Sequence, residues 1–281
     1  MSSLTQAALP VRRAAEGGAA LAALLAAFAV IERRSRHALV PPPLLADRSR
    51  TGAVAMMLCL ATAMFGIFFF LTLFVQNVLG FSPVRSGLAF LPFALTIVAV
   101  SGIVSAVIGR TGARPLLLAG GALTAGGMYW FSLITAHSSY LGGLLGPILV
   151  TAAGLGLLFV PLSLVTMHRV ADRDSGAASS LLNTAQQVGG AVGLAAVGSV
   201  TWTTVAGSLK HQLTQAAAAA ARAGQPVPQQ RGAVPAHIMH QALATGFSRG
   251  FLVAAGVALL ALAIAAVFIR PPARTGIARP S

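Results

Sequence analysis

Seven stretches of the chain are apolar for long enough to be read as membrane crossings, and polar or glycine- and proline-rich segments separate them. They lie near residues 17–31, 53–75, 86–108, 115–135, 140–165, 177–205 and 247–269. A helix rises 1.5 Å per residue, so about 20 residues cover the roughly 30 Å hydrocarbon core. The first run is the shortest, held between Glu16 and Glu32, and "ERRSRH" behind it reads as a cytoplasmic anchor rather than a cleavage site. In "GFSPVRSG", Ser82 is placed to cap a helix whose first residue is Pro83. In "GRTGARP", Gly109 and Gly112 are expected to end one helix and Pro115 to begin the next. Pro92, Pro147 and Pro161 fall inside runs and are expected to kink them or shape their packing.

The pattern predicts an all-α integral membrane protein with about seven transmembrane helices. It divides into an outer N-terminal segment 1–16, a first helix 17–33, a cytoplasmic loop 34–52, a six-helix bundle 53–269 and a cytoplasmic tail 270–281. The Ala-, Gln- and Pro-rich stretch 206–245 is expected to be a long outer loop, helical in part around the six alanines 216–221.

Composition strengthens this picture. Hydrophobic residues make up 56% of the 281 and charged residues 9%, against about 25% charged in a soluble domain. Mean hydropathy is +0.82. The net charge of +14 would suit a nucleic-acid binder, but the arginines sit between the apolar runs, as in loops beside anionic lipid. Alternating the loops across the bilayer puts the larger share of Lys and Arg on the side holding residues 34–52 and the tail. The C-terminus is therefore expected in the cytoplasm and the N-terminus outside. Cys59, the single cysteine, can form no internal disulfide.

The candidate chemistry is that of binding rather than reaction. No Asp or Glu lies in the interior of a span, and nothing pairs a nucleophile with a base or forms a phosphate loop, so the sequence supports no enzyme and no cofactor. His237 and His240 stand three apart, but with no further ligand nearby they make no metal site. The polar residues inside the spans are amides and hydroxyls. In "SSLLNTAQQVGGAVG", Asn183, Gln186 and Gly190 share a helical face, with Gln187 flanking them. Hydrocarbon cannot satisfy an amide, so this face looks into protein or water, either as interhelical glue or as the lining of a substrate cavity. Beside it, Ala185, Gly189 and Gly193 step by four, a spacing that lets another backbone approach closely. In "MFGIFFFLTLFVQNVLG", Phe65, Phe69, Thr72 and Gln76 fall on one face, with Asn77 beside it; this is either core and lipid contact or a pocket wall.

Four stretches in order, "FLTLFVQNVLGFSPVRSGLAFLP", "GRTGARPLLLAGG", "DSGAASSLLNTAQQVGGAVG" and "ALATGFSRGFLVAAGVALLALA", resemble the second half of EmrB/QacA-type fourteen-helix drug:proton antiporters of the major facilitator superfamily. The likeness runs from about residue 17 to 272. It implies that the last six helices form a half-bundle of that type, packed in the cell membrane against a homologous N-terminal half around a central cavity. It further implies a small hydrophobic or cationic substrate, protons as the coupling ion, and a cavity or closing seam faced by Gln76, Asn183, Gln186 and Gln187. Arg110, Gly112 and Arg114 match the family's cytoplasmic loop motif, although Gly109 stands where an acid is usual. The helices that carry the coupling carboxylate in such proteins have no counterpart here. A separate N-terminal half or a second copy of this chain is the expected partner, and a non-transporting membrane scaffold is the alternative.

Overall fold

A computed structural model describes residues 46–168, 170–222 and 235–269, and among them every regular element is helical. The elements are α1 (Arg48–Gly66), a π turn (Ile67–Leu71), α2 (Thr72–Asn77), α3 (Pro83–Ala89), α4 (Leu91–Thr111), α5 (Ala113–Phe131), a second π turn (Tyr140–Leu144), α6 (Leu145–Met167), a 3-10 turn (Asp172–Asp174), α7 (Ser175–Arg222) and α8 (Ala236–Phe268). Helices follow from the solvent, because a chain in hydrocarbon must satisfy its backbone groups within each segment. Five helical stretches are long and apolar enough to cross a membrane: Arg48–Asn77, Pro83–Thr111, Tyr140–Met167, Asp172–Ala219 and Ala236–Phe268. The fourth expected run becomes α5, whose 19 residues end at Phe131 rather than 135. Four glycines, Arg114, Tyr129 and Trp130 make it less apolar than the others. The first run, the segment 1–16, most of the loop 34–52 and the tail 270–281 lie outside the described residues.

Several boundaries differ from those read off the sequence. The run 86–108 is broken at Phe90 into α3 and α4, so Pro92 is the second residue of a new helix rather than a kink inside one. Ser82 caps α3 as expected, its side chain accepting from the Arg85 N–H at 3.3 Å, with Pro83 first in the helix. Gly109 stays inside α4, and Gly112 ends it at φ 77°, a left-handed value that an L side chain resists. Pro115 is third in α5, where its missing N–H is one of the orphan donors of a helix start.

In the outer loop 206–245 the helix expected around the alanines is present and extends well beyond them. Helix α7 continues unbroken to Arg222 and α8 begins at Ala236, so residues 206–222 and 236–245 are helical. Alanine is the strongest helix former, and Gln212–Ser208 and Gln215–His211 side-chain contacts at i, i+4 support the same stretch. At 48 residues α7 measures about 72 Å, more than twice the hydrocarbon core.

The helices pack as a bundle: α4 on α6, α6 on α5, α5 on α8, and α8 on both α1 and α7, which pack on each other and, more lightly, back on α6. Lipid is as apolar as leucine, so close packing rather than expulsion of water holds such helices together. Small residues provide it. A β-carbon at Gly127 would lie 2.1 Å from Thr151 Oγ1, one at Gly154 2.5 Å from Thr124 Oγ1, and one at Gly250 2.2 Å from Thr201 Oγ1. Between these notches lies an aromatic core in which Phe131 stacks on Phe251 at 4.9 Å and Phe247 meets Phe70 and Phe74 at 6.0 and 6.2 Å.

Candidate functional site

Helix α7 shows two faces. On one, Ala185, Gly189 and Gly193 are buried, the two glycines against α1. A β-carbon at Gly189 would sit 2.2 Å from the Leu58 carbonyl oxygen, one at Gly193 2.3 Å from Thr62 Oγ1, and one at Gly190 2.7 Å from the Phe65 ring. The approach is close enough for a direct bond between helices: the Thr62 hydroxyl donates to the Gly189 carbonyl at 3.0 Å. Thr62 is absent from the sequence candidates because a lone hydroxyl in a span carries no pattern.

On the other face, Asn183 and Gln187 are exposed and Gln186 is half-buried. Among the described residues none of these three amides has a protein hydrogen-bond partner. The two faces are therefore opposite in kind, one closed within the chain and one left open by it.

The expected grouping of Gly190 with Asn183 and Gln186 is corrected, because Gly190 is buried against Phe65 of α1. One turn further along α7, Leu194 reaches a cleft of about 400 Å³ that Phe65, Phe68, Phe69, Thr72 and Leu73 also line. Its wall is made by the π turn Ile67–Leu71. A π turn inserts one residue into the helical repeat, which rotates everything after it by about 100° and sets Phe68 and Phe69 side by side at the cleft. The expected face of Phe65, Phe69, Thr72 and Gln76 is corrected accordingly. Phe68 and Leu73 join the cleft, whereas Gln76 is half-buried outside it. Asn77 is exposed and donates its amide back to the Leu73 carbonyl at 2.9 Å. Phe68 also stacks on Phe90 at 5.3 Å and meets Phe93 edge-on at 5.3 Å, tying the π turn to the break between α3 and α4. An aromatic wall with an amide strip running from it suits a flat, amphiphilic or cationic molecule, which rings hold by stacking and by their negative faces.

The arginine-rich end is built from cations on carbonyls. Arg50, only 4% exposed, donates from Nε to the Thr166 carbonyl and from Nη2 to the His168 carbonyl, both at 2.9 Å. Arg114 donates to the Ala266 carbonyl at 3.1 Å, and Arg48 lies 5.1 Å from the Phe268 ring centroid. These cations complement the negative ends of α6 and α8. Arg110 is exposed in the last turn of α4, beside Gly112. From sequence Arg50 falls in the basic loop before the run 53–75; the structure starts the helix at Arg48, and this earlier start carries Arg50 into the packed bundle. Asp47, Asp172 and Asp174, the acids among the described residues, lie at this same end.

Comparison with known proteins places this architecture. The model for the family described as Major Facilitator Superfamily matches residues 8–194. The cephamycin export protein CmcT of Amycolatopsis lactamdurans is 42% identical over 187 residues, covering 66% of this chain and 38% of that protein. The puromycin resistance protein pur8 of Streptomyces alboniger is 35% identical over 198 residues, 69% of this chain and 39% of that protein. The multidrug resistance protein Stp of Mycobacterium tuberculosis is 31% identical over 191 residues, 68% and 35% respectively. The chain thus spans less than two-fifths of the length of these relatives.

Proposed function

The chain belongs to the major facilitator superfamily and is a multi-pass membrane protein, and from that premise we propose that it serves the export of small hydrophobic or cationic, antibiotic-like molecules. In this reading the 281 residues furnish one six-helix half of an EmrB/QacA-type proton antiporter. The cleft of Phe65, Phe68, Phe69 and Thr72, with the amides of Asn183, Gln186 and Gln187 below it, forms one wall of the transport path. The observation that carries the reading is the unpartnered amide face of α7 beside an aromatic cleft, since three amides in a bilayer require a hydrated space or a second protein surface. The second half, on the same polypeptide or another, closes that space.

The division of labour follows from charge. A proton-driven exporter needs a titratable group in its path, and the acids among the described residues all lie at helix ends. The coupling carboxylate therefore belongs to the other half. Alternating access arises as the two halves rock about the shared path, with the cytoplasmic end on the side of Arg50, Arg110 and Arg114.

The test is efflux of a cationic dye and of puromycin from cells expressing this chain alone, a homologous N-terminal half alone, or both. Export restored only by the pair supports the reading. Proton-driven export by this chain alone contradicts the half-transporter assignment, and no export by the pair, with both partners present in the membrane, contradicts transport.

A further inference from the structure

At the end opposite Arg50 a second cleft, about 500 Å³, opens between α5, the segment that follows it, α7 and α8. Its walls include Ser132, His137, Gln212, Gln241, Arg249 and Leu252. The hydroxyls are already engaged within the chain: Ser248 donates to the Ser132 carbonyl, Ser132 to that of Tyr129, Thr245 to that of Gln241, and the Thr135 hydroxyl meets that of Ser138. Gln212 is taken up by Ser208. Arg249 is not committed. Its guanidinium is exposed, and among the described residues it makes neither ion pair nor hydrogen bond. No carboxylate among the described residues lies at this end.

The level of the cleft in the bilayer can be read from its neighbours. The Ser248–Ser132 bond puts the start of the apolar part of α8 beside the end of α5. Tyr129 and Trp130, 54% and 46% exposed, lie within a turn of Ser132 on the membrane side, and interfacial aromatics mark the headgroup boundary. Arg249 is therefore at headgroup depth. About one turn further along the same helix, Leu252 is 41% exposed and also lines the cleft. A free cation at headgroup level beside an exposed leucine one turn nearer the membrane core matches a molecule with an anionic phosphate and an acyl chain.

We propose that this cleft binds the phosphate of an anionic phospholipid, with Arg249 as its cation, Gln241 and His137 as further polar contacts, and the acyl chain leaving over Leu252. The proposal needs only that the chain lies in a bilayer, and it is independent of transport. A bound lipid here would join α5, α7 and α8 across a gap that protein leaves unfilled.

The full chain, purified in detergent, is titrated with phosphatidylglycerol and with phosphatidylcholine, and bound lipid is counted by native mass spectrometry. Inorganic phosphate and glycerol phosphate form a parallel arm read by thermal shift. The expected result is a preference for phosphatidylglycerol that falls about fivefold in Arg249→Gln, persists in Arg249→Lys, and is unchanged in Lys210→Gln, an exposed cation outside the cleft. Three outcomes overturn the proposal: no preference in the parent chain, equal losses in Arg249→Gln and Lys210→Gln, or stabilisation by the soluble phosphates equal to that by the lipid. Arg249 is exposed, and retention on gel filtration separates lost binding from lost folding.

Discussion

The two faces of α7 teach more in contrast than either does alone. Gly189 and Gly193 bring α7 against Leu58 and Thr62 of α1, and the Thr62 hydroxyl at that contact has its partner within the chain. Less than a turn around the helix, Asn183 and Gln187 have none. Both faces belong to one helix in one solvent, so the difference marks where the fold is complete in itself and where it depends on something else. The closed face should govern stability. The open face should govern function.

The predictions probe that division in order of size. Gly189→Leu forces side-chain atoms into the space now held by the Leu58 carbonyl, 2.2 Å from where the β-carbon would lie. Overpacking of this kind costs roughly 3 kcal/mol, so the variant should lose its monodisperse gel-filtration peak. A well-folded Gly189→Leu protein would break the comparison at its closed side. Arg50→Met removes two charge-assisted bonds to the end of α6, and its melting point in detergent should fall by an amount equivalent to about 2 kcal/mol, with Arg50→Lys intermediate. Thr62→Val removes one interhelical bond while keeping the shape, for about 0.6 kcal/mol. Asn183→Leu and Gln187→Leu should leave the melting point of the isolated chain within error, yet reduce export by the assembled pair at least several-fold. A large loss of stability in either would move those amides to the structural side.

The sequence made the helices legible because hydrocarbon permits so little else. Five of the six runs expected from residue 53 onward coincide with helical stretches long and apolar enough to cross a membrane, the exception being 115–135, and the glycine spacing on α7 marked the face that closes. Boundaries were harder. The break at Phe90 is signalled by Gly87 before it and Pro92 after it, yet the apolar run continues across it, and the continuation of α7 beyond residue 206 depends on alanine propensity outweighing a composition that looks like loop. The cleft was only half visible. A regular repeat joins Phe65, Phe69 and Thr72 to Gln76, whereas the π turn at Ile67–Leu71 brings in Phe68 and Leu73 and leaves Gln76 aside. Nothing in "IFFFL" distinguishes an α turn from a π turn. Gly246 and Gly250 in "GFSRG" carried the same four-residue spacing as the α7 seam, and their contacts with Val205 and Thr201 show that it marked a second one.

The most direct test is water accessibility along α7. In a Cys59→Ala background, single cysteines at positions 183, 187, 185 and 193 are labelled in native membranes with a water-borne maleimide. Positions 183 and 187 should react, and an export substrate should protect them, while 185 and 193 stay silent. Sealed cysteines at 183 and 187 in every condition, or labelling at 185 and 193 equal to theirs, would contradict an amide face open to a hydrated path beside a closed helical seam.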